Sequence, residues 1–252
     1  MFEPTRLSLG QLNTTSPLIW RLFLVTILVL VFVTPQAAQA ANGRFGGGTG
    51  TSSNPYIVQD AADLDAVRNN LAANYRLASG IHLITYFPAR LSDYAARGWQ
   101  PIGDSVTPFT GTFDGAGHTI TGLRISRPAA DHVGLFGYAY NATIQNLNVS
   151  HSGITGRNYV GGLVGAQVGS GIFYCTTSGN VTGQYYVGGL VGGQGSSIII
   201  KSDASGRVKG KDGNFTGGLV GIQDSSSITN LVNINPHVPA HVRPRDRFRQ
   251  RP

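Results

Sequence analysis

The chain has 252 residues, of which 35 are glycine, 41% are apolar and only 12% are charged. That is length for one large domain or two small ones, and too much apolar content with too little charge for a wholly disordered chain. Without a strict Gly-X-Y period or sustained Leu-Glu-Lys heptads, neither collagen nor a long coiled coil fits. Eleven of the twelve acidic residues are Asp and the only Glu is Glu3, so no Glu general base is available in the body of the chain. The net charge of +7 is unevenly placed: the last ten residues contribute +4 and residues 1–40 contribute +1. The +2 left for residues 41–242 does not support a basic nucleic-acid face, and no nucleic-acid partner is expected.

Residues 1–40 read as a secretory signal peptide. Arg6 and Arg21 make the basic n-region, residues 22–33 are an uncharged apolar run, and Ala38-Gln-Ala40 offers a cleavage site before Ala41. The run is shorter than the ~20 residues a spanning helix needs. A cleaved, secreted or cell-surface chain is therefore the expectation. Residues 41–54 are rich in Gly, Ser and Thr and read as a flexible lead. Residues 55–130 follow as a cap with the first coils: a short strand at Tyr56–Val58, then a helix with Asp60 as N-cap and Leu64, Val67 and Leu71 on one face. Tyr75-Arg-Leu77 and Ile81-His-Leu83 alternate as strands, ahead of the Gly- and Thr-rich block 109–123.

Residues 131–234 repeat. Gly134-Leu-Phe-Gly137 is followed by Gly162-Leu-Val-Gly165, Gly189-Leu-Val-Gly192 and Gly218-Leu-Val-Gly221, the leucines 28, 27 and 29 residues apart. Seven residues after each closing Gly stands Ile144, Ile172, Ile199 or Ile228. A third marker, Ile154-Thr-Gly156, Val181-Thr-Gly183 and Val208-Lys-Gly210, is preceded each time by Ser-Gly, at Ser152-Gly153, Ser178-Gly179 and Ser205-Gly206. Short Val/Leu/Ile runs between Gly, Ser, Thr and Asn are strands with corners, and a period of 27–29 residues is one coil of a right-handed parallel β-solenoid. The fold class is all-β, with Leu135, Leu163, Leu190 and Leu219 as one inward column and the four isoleucines as another. Residues 235–252, rich in Pro and Arg, read as a disordered tail.

The Gly-Gly-Leu-Val-Gly units at 161–165, 188–192 and 217–221, with Ser-Gly-x-Val-x-Gly at 178–183, resemble the GLUG motif, named for Gly-Leu-any-Gly. The block 109–123 and the elements before it are similar to the region that commonly precedes such repeats. The resemblance spans roughly residues 55–232. It implies an exported surface or matrix protein, akin to adhesin-like and filamentous-haemagglutinin-like proteins and the accessory regions of IgA-specific proteases. The chain lacks His-Glu-x-x-His, so zinc-protease chemistry does not transfer. It lacks a sortase-type anchor, and four repeats ending in a basic tail also fit a truncated piece of a larger adhesin.

No catalytic residue, cofactor or metal site is expected. The alternative is a carbohydrate-active β-helix enzyme using Asp104, Asp114 and the nearby His118, though Asp114-Gly115 and Gly117-His118 also suit tight turns. Asp203 and Asp212 are too far apart along a coil to share one face. His82, His132, His151, His237 and His241 lack ligand spacing, and Asn141, Asn148, Asn180 and Asn214 head sequons that suit coil corners. Cys175 has no disulfide partner and reads as a core side chain. The expected function is non-catalytic adhesion or contact with an unidentified host, matrix or carbohydrate ligand. The outward Ser, Thr and Asn side chains with Tyr159, Tyr185 and Tyr186 would form its surface. End-to-end self-association through the coil at Gly218–Ile228 is the further expectation.

Overall fold

In a computed structural model of the protein, residues 45–85, 96–211 and 215–229 are described, all within one compact unit. The expected signal peptide, residues 41–44 of the lead and the tail from residue 230 lie outside the described residues. Every ladder between named strands is parallel. The chain winds as a β-solenoid of about four turns, and the later turns pass through all four stacked sheets.

The longest stack, the isoleucine sheet, runs Tyr56–Val58, Asn74–Leu77, Thr112–Asp114, Thr143–Gln145, Gly171–Phe173, Ile198–Ile200 and Ser227–Thr229. Its central column places Tyr56, Tyr75, Phe113, Ile144, Ile172, Ile199 and Ile228 in direct register. The four-stranded sheet stacks Phe136–Tyr140, Val164–Val168, Val191–Gly195 and Val220–Asp224. A three-stranded sheet, Asn158–Val160, Tyr185–Gly188 and Thr216–Gly217, precedes it in each turn. The remaining sheet begins with Ile81–His82, Thr119–Ser126 and Asn148–Thr155, after which each coil contributes two short strands with a corner between them.

Both expected columns are present. Leu135, Leu163 and Leu190 are fully buried and Leu219 is half-buried; the amides of Leu163 and Leu190 each donate to the leucine carbonyl one coil on. At the N-terminal end the core is aromatic, Phe45, Tyr56, Tyr75, Phe109, Phe113 and Phe136 packing ring to ring, and it becomes aliphatic along the solenoid. Phe45 thus holds the start of the described lead, and the amides of Gly46 and Ile57 donate to Ile57 and Gly47 across it.

The helix, α1 (Ala61–Ala66), starts where Asp60 is extended and its Oδ1 accepts from the amides of Ala62 (2.8 Å) and Asp63 (2.9 Å). Asp63 Oδ2 reaches back to accept from the amide of Gln59, the residue before the cap, which fixes the chain's entry into the helix. Leu64 and Val67 enter the core. Helical structure stops at Asn69, short of the expected Leu71, whose carbonyl instead accepts from the amides of Thr110 and Gly111.

The paired glycines of each repeat have a steric cause. None of Gly161, Gly162, Gly188, Gly189, Gly217 and Gly218 takes a positive φ. A Cβ on Gly188 would land on the Val191 carbonyl oxygen, and one on Gly189 on the Gly218 carbonyl oxygen, so both positions are closed by backbone. The third marker is read differently by the structure. Ser150, not Ser152, aligns with Ser178 and Ser205, because the earlier coil has one extra residue there, and His151 packs where Gly179 and Gly206 turn at φ 138° and 112°. We expect Gly189→Ala to destabilise the protein by about 2–4 kcal/mol. Gly153→Ala, with nothing within 4 Å of the added carbon, should be near neutral; chemical denaturation of both checks this.

Candidate functional site

The outer face of the four-stranded sheet carries two rows of residues, Tyr138, Ala166, Gly193, Ile222 and Tyr140, Val168, Gly195, Asp224, each in register from coil to coil. The small residues in the middle coils leave a trough, bordered along the axis by Tyr138 on one side and by Ile222 and Asp224 on the other. Its volume is about 300 Å³. Along one flank His132, Tyr159 and Tyr186 stand at successive corners, 27 residues apart, all left-handed with φ 56°, 55° and 56°. That conformation costs a bulky residue free energy, and here the coil geometry and ring stacking hold it. His132 stacks on Tyr159 at 5.1 Å, Tyr159 on Tyr186 at 4.6 Å and Tyr186 on Phe215 at 5.5 Å, with interplanar angles of 22°, 27° and 17°. Tyr138 meets His132 edge-on. A Cβ on Gly193 would strike the Tyr159 ring, so this glycine is what lets the ring lie over the floor.

The ladder is braced at its base by Asp131 and Arg157, whose Nε and Nη2 donate at 2.8 and 2.6 Å to the two carboxylate oxygens. The Asn158 amide donates to Asp131 as well, tying the strand that carries Tyr159 to the preceding coil. The guanidinium fork holds the Asp131 carboxyl below its usual range. Burial pushes the His132 imidazole down, against the pull of Asp131 and Asp104, which favours the neutral ring at neutral pH.

Of the residues singled out from the sequence, Tyr159 and Tyr186 form the ladder, while Tyr185 is 43% exposed beside it and does not line the trough. The sequence alone does not mark His132 and Tyr138 as binding residues; the 27-residue step from His132 to Tyr159 is the one signal that points to His132. The acids of the enzyme alternative serve turns. Asp104 Oδ1 accepts from the Val106 and Thr107 amides and the Thr107 hydroxyl, which holds its carboxyl low. Asp114 Oδ1 accepts from the Ala116 amide and Asn146 Nδ2, and the His118 amide closes the same turn onto Gly115. Among the described residues no three His, Cys, Asp or Glu side chains gather as a metal site. Cys175 is buried, its amide donating to Ser202 Oγ, and burial pushes its thiol up to about 12, as befits a core residue and not a nucleophile. His82 Nδ1 lies 2.7 Å from Thr121 Oγ1, and His237 and His241 lie outside the described residues.

The fold and the trough define a parallel β-solenoid with an aromatic-walled groove on one face. Residues 183–209 match the family model of the GLUG motif, and the chain carries that motif. Over 151 residues it is 37% identical to a provisionally named Gly-rich membrane protein of Evansella cellulosilytica, covering 59% of this chain and 17% of that protein. Over 129 residues it is 38% identical to halomucin of Haloquadratum walsbyi, covering 49% of this chain and 1% of halomucin. The chain thus spans less than a fifth of either relative. Among solved structures, a candidate immunoglobulin A1 protease from Bacteroides ovatus aligns with a TM-score of 0.44 at 21% identity, over 76% of this chain and 72% of that one. No helix among the described residues is long and apolar enough to cross a membrane.

One buried group makes stability depend on acid. His151 is 6% exposed, neither ring nitrogen has a hydrogen-bond partner, and burial pushes its pKa down to about 4. The unfolded chain, with His near 6.5, binds that proton more readily than the native one. The native advantage is therefore complete above pH ~6.5 and shrinks as pH falls toward 4, by about 3 kcal/mol in all. Urea unfolding between pH 7.5 and 4 should show this slope, and His151→Gln should flatten it.

Proposed function

We propose that this chain is an exported, non-catalytic contact module of a surface protein, processed after Ala40, which meets its ligand through the groove-bearing face. One observation carries the reading: an aromatic row, His132, Tyr159, Tyr186 and Phe215, is repeated from coil to coil on the outside of the described solenoid, and its first three members flank a trough floored by Ala166, Gly193 and Gly195. An apolar floor with a few polar wall groups suits binding. The GLUG motif, and relatives named as a membrane protein and a halomucin, support a surface setting. The carbohydrate-active alternative has less support, since Asp104 and Asp114 are engaged in turns and the groove holds one carboxylate, Asp224, where acid/base hydrolysis needs two.

Beads bearing the full chain should be retained on at least one of a set of surfaces coated with matrix proteins, mucin or polysaccharides. Tyr186→Asn, which keeps a residue that accepts the left-handed corner, should cut retention about tenfold. N-terminal sequencing of the exported protein should begin at Ala41. Absence of retention on every surface, or release of sugar fragments from a polysaccharide coat, would overturn the proposal.

A further inference from the structure

We propose that the trough binds a neutral glycan chain lying along the solenoid axis, about one sugar ring to each coil; this rests on the contact function above and names its ligand class. The charges around the trough are the first argument. Among the residues lining it, Asp224 is the only acidic or basic one besides His132, and burial disfavours the charged form of that imidazole. Arg157, at the base of the ladder, is engaged by Asp131 through both carboxylate oxygens. A uronate, sulfate or phosphate would meet an uncompensated carboxylate and no cation, so an anionic polymer is disfavoured.

The second argument is the surface chemistry. A pyranose has a flat face of C–H groups and a rim of hydroxyls. The part of the floor left open beside the Tyr159 ring, at Val168 and Gly195, is apolar and can meet the C–H face. The rim groups of the trough are the Tyr138, Tyr159 and Tyr186 rings with the Asp224 carboxylate, which can exchange hydrogen bonds with sugar hydroxyls. Because the ladder rings stack on one another, their faces are covered and they border the trough as a rigid row.

The third argument is the period. Coils repeat every ~4.8 Å along the axis, close to the length of one ring in an extended β-linked chain, so each sugar spans about one coil and alternate sugars turn the same edge to the ladder. A peptide strand fits less well. The two middle strands, Val164–Val168 and Val191–Gly195, are paired on both sides, so over the trough floor no backbone edge is open to augmentation and the peptide's amides would lie on an apolar floor.

The glycines supply a clean test. A Cβ on Gly195 would meet only the Val168 Cγ2, at 3.7 Å, and its φ is not left-handed, so the backbone there accepts a side chain and Gly195→Trp puts an indole into the trough. Calorimetric titration of the full chain with neutral hexasaccharides of β-linked glucose, N-acetylglucosamine and mannose should show binding to at least one. Hexagalacturonate should not bind. Gly195→Trp should weaken the neutral interaction by about tenfold or more with circular dichroism and melting unchanged, and Gly153→Trp should leave it intact. Neutral-glycan binding undiminished in Gly195→Trp, preferred binding of hexagalacturonate, or no binding of any neutral hexasaccharide would each overturn the proposal. If the bead retention is at the same time intact and is lost in Gly195→Trp, the contact function stands and only the ligand class falls.

Discussion

Everything in this protein depends on one coil lying directly on the next in parallel register. A single coil of 27–29 residues has no opposite wall on which to bury its apolar side chains. Only stacking converts one leucine, one isoleucine and one valine per turn into continuous columns. The register is enforced by backbone as well as by side chains. At the Gly-Gly step the chain passes so close to its own carbonyls and to those of the next coil that no side chain fits at Gly188 or Gly189. The leucine amides that follow donate to the adjacent coil, so the tight step and the ladder form together.

Polar residues inside the coils reinforce the same register. The Ser170 and Ser197 amides each donate to the serine hydroxyl one coil on, Ser197 Oγ and Ser226 Oγ, and those hydroxyls donate to a carbonyl two residues back in their own coil. Gln167 Nε2 donates to Gln194, and Gln194 Nε2 to Gln223, along a row that begins at Ala139. Because Ala139 offers no side-chain amide, Gln167 Oε1 is buried without a partner. A slip of one residue would leave many such groups unpaired, and desolvated polar groups without partners are costly. The hydrogen-bonded rows therefore disfavour slipped pairings more than the apolar columns do alone.

The groove follows from this stacking and needs no separate device. Corners recurring every 27 residues bring aromatic rings to the ~4.8 Å coil spacing at which they stack. Where the coils supply Ala and Gly on the adjacent outer face, a trough remains beside the rings. The rigidity of the ladder comes from the solenoid, which suits a site that binds without closing over its ligand.

The repeat spacing by itself determined the coil length, the parallel stacking and the leucine and isoleucine columns, because identical residues at a constant interval have few other ways to bury one face. Asp60 as N-cap was equally legible, since a carboxylate before an apolar helical face has a local reason to be there. What only the tertiary structure decided is what depends on neighbours from other coils. The extra residue that moves the serine register from Ser152 to Ser150 is invisible until strands are paired. The glycine pairs could have served positive φ or close approach, and only the stacked backbone shows that it is the latter. Tyr159 and Tyr186 stood out as exposed aromatics, but His132 and Tyr138 joined them only when three coils were laid side by side. A groove is a property of spaces between coils, and no single stretch of sequence contains one.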